Sequence, residues 1–275
     1  MLVMCKQYQI RLYICIELMS GFINKTITIS PFYMEKHNKR NFLVLVDCQY
    51  DFCNPQGSLY VTGATDDMKR LSNLIIEKAN CFSKIFVGLD YHPIGHCSFH
   101  TSWKDKQGAI PAPYSHISTF DYGHIVYKPI VGSVTDEAFV DNEFDIWPEH
   151  CVAHSIGATL DSAISNALSH YLLKSEKSGF VEYYTKGESM MTEEYGNIEL
   201  ARAVSSHAHN DMAIYVAGEA LDFCVFNTLK QIRQHTNLPL YLIEDCTSCV
   251  IPKSKKAIYD ELEKLGVQFI ASTNI

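Results

Sequence analysis

The 275-residue sequence lacks several features that mark whole classes of protein. It has no block or stripe of basic residues, and its formal net charge of -8 disfavours a polyanionic partner such as nucleic acid. It has no internal repeat and no low-complexity tract, and charged residues make up only 20% of the chain. These absences are typical of an ordinary globular protein, and they favour a small-molecule role.

The sequence also lacks a long, uninterrupted apolar run. Residues 1–22 are mildly apolar, but Lys6, Arg11 and Glu17 interrupt them. This stretch is therefore too broken for a membrane span and has no clean signal-peptide core, so we predict no membrane association. Residues 1–38 are predicted to be a dispensable, disordered extension to which we assign no function, and residues 39–275 are predicted to form the folded domain.

Cysteine is not scarce, since the chain has ten, but the short, loop-rich pattern of a disulfide scaffold is missing. We therefore predict a reduced, intracellular protein of the cytoplasm. A single C-x-x-C pair, Cys246 and Cys249, follows the fifth predicted strand. Half a zinc site or a redox pair would use this spacing. Our default interpretation is a pair of buried structural cysteines.

Short apolar runs alternate with helical patterns along the rest of the chain. The apolar content of 47% is enough for a large core, in one generous domain or two small ones. Near-continuous apolar runs are typical of strands that are covered on both faces. Their alternation with helices predicts an α/β fold, a parallel sheet with helices on both faces. The predicted strands are residues 41–47, 84–90, 181–186, 212–218, 238–245 and 267–272. The predicted helices are residues 67–80, 158–173, 194–208, 223–235 and 253–266.

Four reactive residue types follow the predicted strands: Asp47, Asp90, Lys186 and Cys224. Any one of them could simply mark the point where a strand reaches solvent. In parallel sheets, however, ligands bind beyond the carboxyl ends of the strands. We therefore expect these four side chains to meet at one edge of the sheet and to form a site.

A cysteine, an aspartate and a lysine at one edge suit acyl transfer. The Cys224 thiol would attack a carbonyl, and a helix N-terminus after it is expected to lower its pKa. Asp47 could accept and return the proton, and Lys186 could hold both groups in place. The backbone N–H groups of Ala220 and Cys224 are the natural donors for the oxyanion.

A second cluster of chemistry lies in the loop after the second predicted strand. This loop carries Asp90, His92, His96 and His100, and His150 lies in the distant stretch WPEHC. A D-x-H pair together with a distant histidine is a candidate site for zinc or a similar divalent ion. The other histidines are interpreted as ordinary polar residues, as is His100, with His96 intermediate. They are His116, His124, His154, His207 and His209.

Five motifs, in order, resemble those of the nicotinamidases, which belong to the isochorismatase-like cysteine hydrolases. The resemblance spans roughly residues 41–250 and is more specific than any single signature. The motifs are DCQYDF with GSL (47–59), DYHPIGHCSF (90–99), WPEHCV with IGA (147–158), TKG followed by EEY (185–195) and GEALDFCVFNT (218–228).

The resemblance implies an open six-stranded parallel sheet, the isochorismatase-like hydrolase fold, in residues 39–275. It implies hydrolysis of nicotinamide to nicotinate and ammonia in NAD salvage, with Asp47, Lys186 and Cys224 as the catalytic residues. Two alternatives stay open. One is a cysteine hydrolase of the same superfamily that acts on a different amide, and the other is a non-catalytic metal-binding protein of the same fold.

The resemblance also implies the ligands of a divalent ion that binds the pyridine nitrogen of the substrate. Asp90, His92 and His150 match the metal ligands, and His96 matches a position that ligates only in some members. Zinc is the expected metal, with iron or manganese as alternatives. Three aromatic residues fall where the family lines the ring pocket. They are Phe52, Trp147 and Tyr195.

Three features depart from the family's pattern. Tyr91 stands where tryptophan is usual, and Glu219 stands where an aliphatic residue is commoner. A carboxylate at Glu219 would oppose the thiolate unless it has a hydrogen bond of its own. The long insertion around residues 102–145 is predicted to form a lid or an oligomer contact, and a homo-oligomer is left open.

Overall fold

The computed structural model describes residues 41–119, 127–130, 143–174 and 180–275. The predicted N-terminal extension, residues 1–38, lies outside the described residues, as does His124. Residues 120–126 and 131–142 of the predicted insertion also lie outside them.

The centre of the fold is a six-stranded parallel sheet, as predicted. Its strands are β1 Asn41–Val46, β2 Phe82–Asp90, β7 Phe180–Lys186, β8 Ile214–Gly218, β9 Leu240–Ile243 and β10 Val267–Ile270. The strand order is β10-β9-β8-β1-β2-β7, and every neighbouring pair runs parallel. The adjacent strands β1 and β2 therefore have β8 on one side and the edge strand β7 on the other.

Helices cover both faces of this sheet. They are α1 Tyr50–Cys53, α2 Ala64–Glu77, α3 Ser162–Lys174, α4 Ile198–His207, α5 Phe226–His235 and α6 Lys255–Lys264. Short 3₁₀ turns cover Ala79–Cys81, His100–Ser102, Pro252–Ser254 and Ser272–Asn274. Successive side chains of β1 point to opposite faces. Leu43 and Leu45 lie in the core beneath α2 and α3, whereas Phe42, Val44 and Val46 lie in the core beneath α4, α5 and α6. Burial on both faces explains the continuous apolar run in the sequence.

The predicted helices all exist, but several of their boundaries were wrong. The helix predicted at 194–208 begins at Ile198, because the Asn197 side chain accepts a hydrogen bond from the Leu200 N–H (3.0 Å) and caps the helix there. The helix predicted at 158–173 begins at Ser162, after Asp161 accepts from the Ala163 N–H (2.9 Å). Local capping by short polar side chains, and not the apolar pattern, sets these starts.

The segment between β2 and α3 adds two small antiparallel sheets beside the main one. One pairs β3 Trp103–Lys104 with β5 Lys128–Pro129, and the other pairs β4 Ser115–Ser118 with β6 Glu143–Ile146. The buried residues beneath them form a separate small core of Cys97, Trp103, Ile117, Phe144 and Ile146. Among the helices that the structure describes, none is long and apolar enough to cross a membrane.

Candidate active site

The four strand-end residues meet, as the sequence predicts, because they follow four adjacent strands. Asp90 and Lys186 are the last residues of β2 and β7, and their Cα atoms are partners in the parallel register. Asp47 follows β1 directly, and Cys224 lies in the turn after β8. All four side chains are buried. Parallel pairing therefore turns four separate positions in the sequence into one cluster.

Lys186 lies at the centre of this cluster. Its Nζ atom is 3.0 Å from Asp47 Oδ2 and 2.8 Å from Asp90 Oδ1. The same ammonium group donates to the Cys224 thiol, at 3.5 Å from Sγ. A buried ammonium is stable only when it is paired and hydrogen-bonded, and Lys186 has two carboxylates and a sulfur as partners.

The pKa values of the cluster follow from burial and from this pairing. Burial alone would lower the pKa of Lys186, but Asp47 and Asp90 together raise it well above its usual range. Burial raises the pKa of Asp47, and Lys186 opposes that shift. Burial also raises the pKa of the Cys224 thiol, although the positive charge of Lys186 acts to lower it. The thiol pKa is therefore raised instead of being lowered by a helix N-terminus, so attack requires a base that takes the proton.

Asp47 has the position such a base needs, since its carboxyl group and the Cys224 thiol both lie against Lys186 Nζ, at 3.0 and 3.5 Å. The turn that presents the thiol is a short π-helical segment, Leu221–Val225, which begins directly after Ala220. Gly218 has a φ of +120°, and a Cβ there would lie 2.0 Å from the Val46 carbonyl oxygen. The close approach of β8 to β1 before the turn thus requires glycine.

The three predicted metal ligands also come together. One ligand atom from each of Asp90, His92 and His150 lies within 4.8 Å of the other two, and all three residues are buried. The His92 ring has Nδ1 3.0 Å from the Gly187 carbonyl oxygen, and the His150 ring has Nδ1 2.8 Å from the Pro148 carbonyl oxygen. Only a protonated Nδ1 can donate to a carbonyl, so both Nε2 atoms are left to face the carboxylate of Asp90.

This arrangement fits a divalent cation. The Nε2 atoms of His92 and His150 lie 2.9 and 3.4 Å from Asp90 Oδ2. Two imidazole nitrogens and a carboxylate oxygen are a usual donor set for zinc and related ions. In such sites the other ring nitrogen of each histidine usually donates a hydrogen bond to a carbonyl or carboxylate oxygen, as it does here. Among the described residues, this is the one such group of histidine, cysteine, aspartate and glutamate side chains.

His96 lies beside this group and is not part of it. Its ring stacks on His92 with the centroids 4.0 Å apart. Its Nδ1 is 2.7 Å from Ser98 Oγ, and its Nε2 is 3.1 Å from the Thr192 carbonyl oxygen. Burial and the neighbouring His92 lower the pKa of His96 to about 3, so the ring is neutral and both nitrogens already have protein partners. The other described histidines also lie outside the group, in agreement with their ordinary interpretation. They are His100, His116, His154, His207 and His209.

The three predicted aromatic residues, Phe52, Trp147 and Tyr195, line one cavity together with Asp90 and Cys224. The Trp147 indole N–H donates to the Tyr195 hydroxyl (3.2 Å), which holds the two walls together. The lining also includes His150 and Ala220, so the Cys224 residue, two of the three candidate metal ligands and the aromatic walls border the same space.

Two further residues of this cavity were missed by the sequence analysis. Phe223 packs edge-on against Trp147, with centroids 5.0 Å apart, and completes the aromatic wall. Glu193 lines the cavity beside Asp90, and burial raises the pKa of Glu193 to about 7. Signals for both were present, because Phe223 precedes the nucleophile and Glu193 begins the EEY motif. Their side-chain directions could not be read from these motifs.

Glu219 and the C-x-x-C stretch, Cys246 to Cys249, both contact the turn that carries Cys224. Glu219 accepts a hydrogen bond from the Ser248 N–H (3.1 Å). Its carboxyl group therefore has the hydrogen bond of its own that a carboxylate this close to the nucleophile would need. Ser248 lies within the C-x-x-C stretch, and its carbonyl oxygen accepts from the Leu221 N–H (2.8 Å). Cys246 and Cys249 are buried free thiols, as the default interpretation has it. The stretch braces the nucleophile turn.

No protein-family model matches the chain, but two curated proteins are similar to it in sequence. A nicotinamidase of Saccharomyces cerevisiae is 29% identical over 186 residues, which cover 66% of this chain and 76% of the yeast protein. A nicotinamidase of Acinetobacter baylyi is 25% identical over 233 residues, covering 85% of this chain and 93% of its own.

Solved structures share the fold. PnC1 from L. infantum, in complex with nicotinate, superposes with a TM-score of 0.58 at 24% identity, over 86% of this chain and 94% of its own. A pyrazinamidase of Pyrococcus horikoshii in complex with zinc gives a TM-score of 0.55 at 20% identity, over 84% and 99%. The chain is thus similar in sequence to two curated nicotinamidases, and it shares its fold with a nicotinate-bound PnC1 and a zinc-bound pyrazinamidase.

Proposed function

We propose that the chain hydrolyses nicotinamide to nicotinate and ammonia, with Cys224 as the nucleophile and a thioester intermediate. The observation that carries the proposal is the shared cavity, which is lined by Cys224, by the aromatic walls and by Asp90 and His150, two of the three residues of the candidate metal group. Nicotinamide has a carboxamide for the thiol to attack, a flat ring for the aromatic walls and a pyridine nitrogen for a metal ion. The names of the two curated relatives and the nicotinate complex of the L. infantum protein support the same substrate.

The first half of the reaction forms the thioester. Asp47 takes the thiol proton as Sγ of Cys224 bonds to the carboxamide carbon, so that the neutral thiol need not ionise beforehand. The backbone N–H groups of Ala220 and Cys224 donate to the resulting oxyanion. Asp47 then gives its proton to the amide nitrogen, the carbon–nitrogen bond breaks, and ammonia leaves.

The second half returns the enzyme to its starting state. Asp47 takes a proton from water while the water oxygen bonds to the thioester carbon. The carbon–sulfur bond breaks, nicotinate leaves, and Asp47 returns the proton to the sulfur of Cys224. Lys186 keeps its proton throughout, because the two carboxylates raise its pKa, and it holds Asp47 and the sulfur in position.

The ring is held by the aromatic walls of Phe52, Trp147 and Tyr195. Asp90, His92 and His150 would hold a divalent ion, which would supply a Lewis acid for the pyridine nitrogen. Zinc fits this donor set best, and the zinc complex of the P. horikoshii pyrazinamidase supports that choice.

The test is ammonia release from nicotinamide by the purified full-length protein, with and without a chelator. We expect turnover that the chelator reduces. Cys224→Ala should abolish it, while the matched variant Cys81→Ala, which removes a thiol outside the cavity, should keep it. Substantial ammonia release by Cys224→Ala would contradict the mechanism. Turnover of other amides but not of nicotinamide would identify a different hydrolase of the superfamily, and no turnover of any amide would favour a non-catalytic protein.

A further inference from the structure

Glu219 is the residue of the nucleophile turn that the proposed chemistry does not use. Its side chain is fully buried, and it lies between the last residue of β8 and Ala220. Its backbone N–H donates to the Val46 carbonyl oxygen (2.9 Å), which ties it to the end of β1. Glu219 is therefore anchored at the end of β1 and directly precedes Ala220 in the chain.

The Glu219 carboxyl group has a hydrogen-bond donor for only one of its oxygens. Oε2 accepts from the Ser248 N–H at 3.1 Å, whereas Oε1 is buried with no donor among the described residues. A buried carboxylate oxygen without a donor costs free energy, more than a neutral group would. An ionised Glu219 is thus poorly matched to its surroundings.

The neighbouring carboxyl group, Asp67 on α2, has the opposite environment. Its Oδ1 accepts from Arg70 Nη2 and its Oδ2 from Ser248 Oγ, each at 2.5 Å. Both oxygens therefore have donors, one of them a guanidinium, and this suits the ionised form. Ser248 joins the two carboxyl groups, since its N–H donates to Glu219 Oε2 and its hydroxyl to Asp67 Oδ2, so Glu219 and Asp67 lie close together. Two neighbouring carboxyl groups can hydrogen-bond to each other only by sharing a proton. The proton belongs on Glu219, the group that lacks a donor.

We propose that Glu219 is a positioning residue: as a neutral acid it donates a hydrogen bond to Asp67, and this bridge fixes the turn that carries Ala220 in the oxyanion site. The proposal rests on the proposed amide hydrolysis, because it gives the Ala220 N–H its role. The bridge joins three parts of the fold, namely α2, the end of β8 and the stretch around Ser248.

Ionisation of Glu219 would place two carboxylates against each other and loosen the turn. Besides Asp67 with its partner Arg70, the titratable groups that face Glu219 are Asp222 of its own turn and the buried thiols of neighbouring segments. The thiols are Cys48, Cys53 and Cys249. Burial, with Asp67 next, raises the pKa of Glu219 well above its usual range, so the neutral acid is favoured and the bridge should fail as the pH rises through that raised pKa.

The first test compares two substitutions in the ammonia-release assay. Glu219→Ala removes the bridge, and we expect kcat to fall roughly 10- to 100-fold with KM little changed, since a small misplacement of a catalytic donor has effects of that order. Glu219→Gln keeps the shape and a donor for Asp67, so it should keep most of kcat at neutral pH. It cannot ionise, so its activity should persist to higher pH than that of the wild type. Asp66→Asn, an exposed carboxylate beside Asp67, is the matched control and should change neither kcat nor the pH profile.

The second test detects the shared proton without using activity. A protonated buried carboxylic acid gives its own carbonyl stretch in the infrared spectrum, and this band should be present at neutral pH in the wild type and lost in Glu219→Gln. Glu219→Ala with wild-type kcat, or Glu219→Gln with an unchanged alkaline limb, would overturn the positioning role. If the wild type releases no ammonia from nicotinamide, the proposed substrate is wrong, and the infrared band together with the position of Ala220 in a Glu219→Ala crystal structure still decides the inference. If Glu219→Ala does not fold, the pH profile and the band of Glu219→Gln decide it.

Discussion

At the scale of single residues, the site is organised by the pairing of one buried ammonium with two carboxylates. Lys186 neutralises one of the two charges on Asp47 and Asp90, so one negative charge remains uncompensated by this trio. His92 and His150 face Asp90 on its other side. The residual charge and the free Nε2 atoms both favour a cation there. Asp47 is left with the thiol as its working partner.

Asp47→Asn is the residue-scale prediction. Because the pKa of the Cys224 thiol is raised by burial, removing the base should slow proton transfer and lower kcat by roughly 10²- to 10⁴-fold. KM for nicotinamide should change little, since Asp47 does not line the cavity walls that hold the ring. Steady-state ammonia release measures both quantities. The exposed Asp211→Asn serves as the control, and an Asp47→Asn variant with wild-type kcat would exclude Asp47 as the base.

At the scale of elements, the turns at the carboxyl ends of the strands position the site more tightly than the strands do. The turn after β7 shows this. Gly187 has a φ of +72°, and a Cβ there would lie 2.4 Å from the ring of His92. Its carbonyl oxygen is also the group that accepts from His92 Nδ1. One glycine thus provides both the space and the hydrogen bond that orient a metal-site histidine.

Gly187→Ala is the element-scale prediction. The new methyl group should displace His92 and weaken zinc binding, as measured by competition with a chromogenic chelator. Gly108→Ala is the matched control, because Gly108 has a similar φ of +85° but open space around a Cβ. Both variants should lose about 1–2 kcal/mol of stability from the left-handed backbone conformation, and only Gly187→Ala should lose zinc affinity. Equal zinc affinity in the two variants would mean that the turn does not orient His92.

At the scale of the whole molecule, the site joins elements that are far apart in the sequence. The metal group alone draws on β2, the loop that follows it and the segment after β6. Phe223, in the turn that presents Cys224, packs against both of the cores that lie on opposite faces of the sheet. A ligand that binds only the folded state stabilises the entire cooperative unit.

We therefore predict that metal binding stabilises the whole protein against unfolding. Zinc at about 100 times its Kd should stabilise the protein by about 2.7 kcal/mol and raise its Tm, and a chelator should reverse the shift. Asp90→Asn should abolish the shift, whatever its own Tm, because it removes the carboxylate ligand. The exposed His209→Ala should keep it. A zinc-dependent Tm shift of the same size in Asp90→Asn would place the binding site elsewhere.

How far the sequence predicts the molecule differs from one feature to another. The runs at 41–47 and 84–90 predicted β1 and β2 because burial on both faces leaves a continuous apolar signature. The start of α4 was predicted four residues early, because the Asn197 cap depends on one local hydrogen bond that the apolar pattern does not record. Glu193 and Phe223 lay inside motifs already singled out, yet the directions of their side chains depend on packing.

By itself, the sequence determined the α/β class, the parallel sheet and the residues that follow its strands, since periodicity and the shared edge of parallel strands fix those features. Only the tertiary structure decided how the side chains use that edge. It gave Lys186 two carboxylates, raised the pKa of the Cys224 thiol by burial, stacked His96 beside the group of Asp90, His92 and His150, and gave Glu219 a hydrogen bond from Ser248. The physical reason is that charge pairing, desolvation and hydrogen bonding act between atoms a few ångströms apart, and the fold brings these residues together from distant parts of the chain.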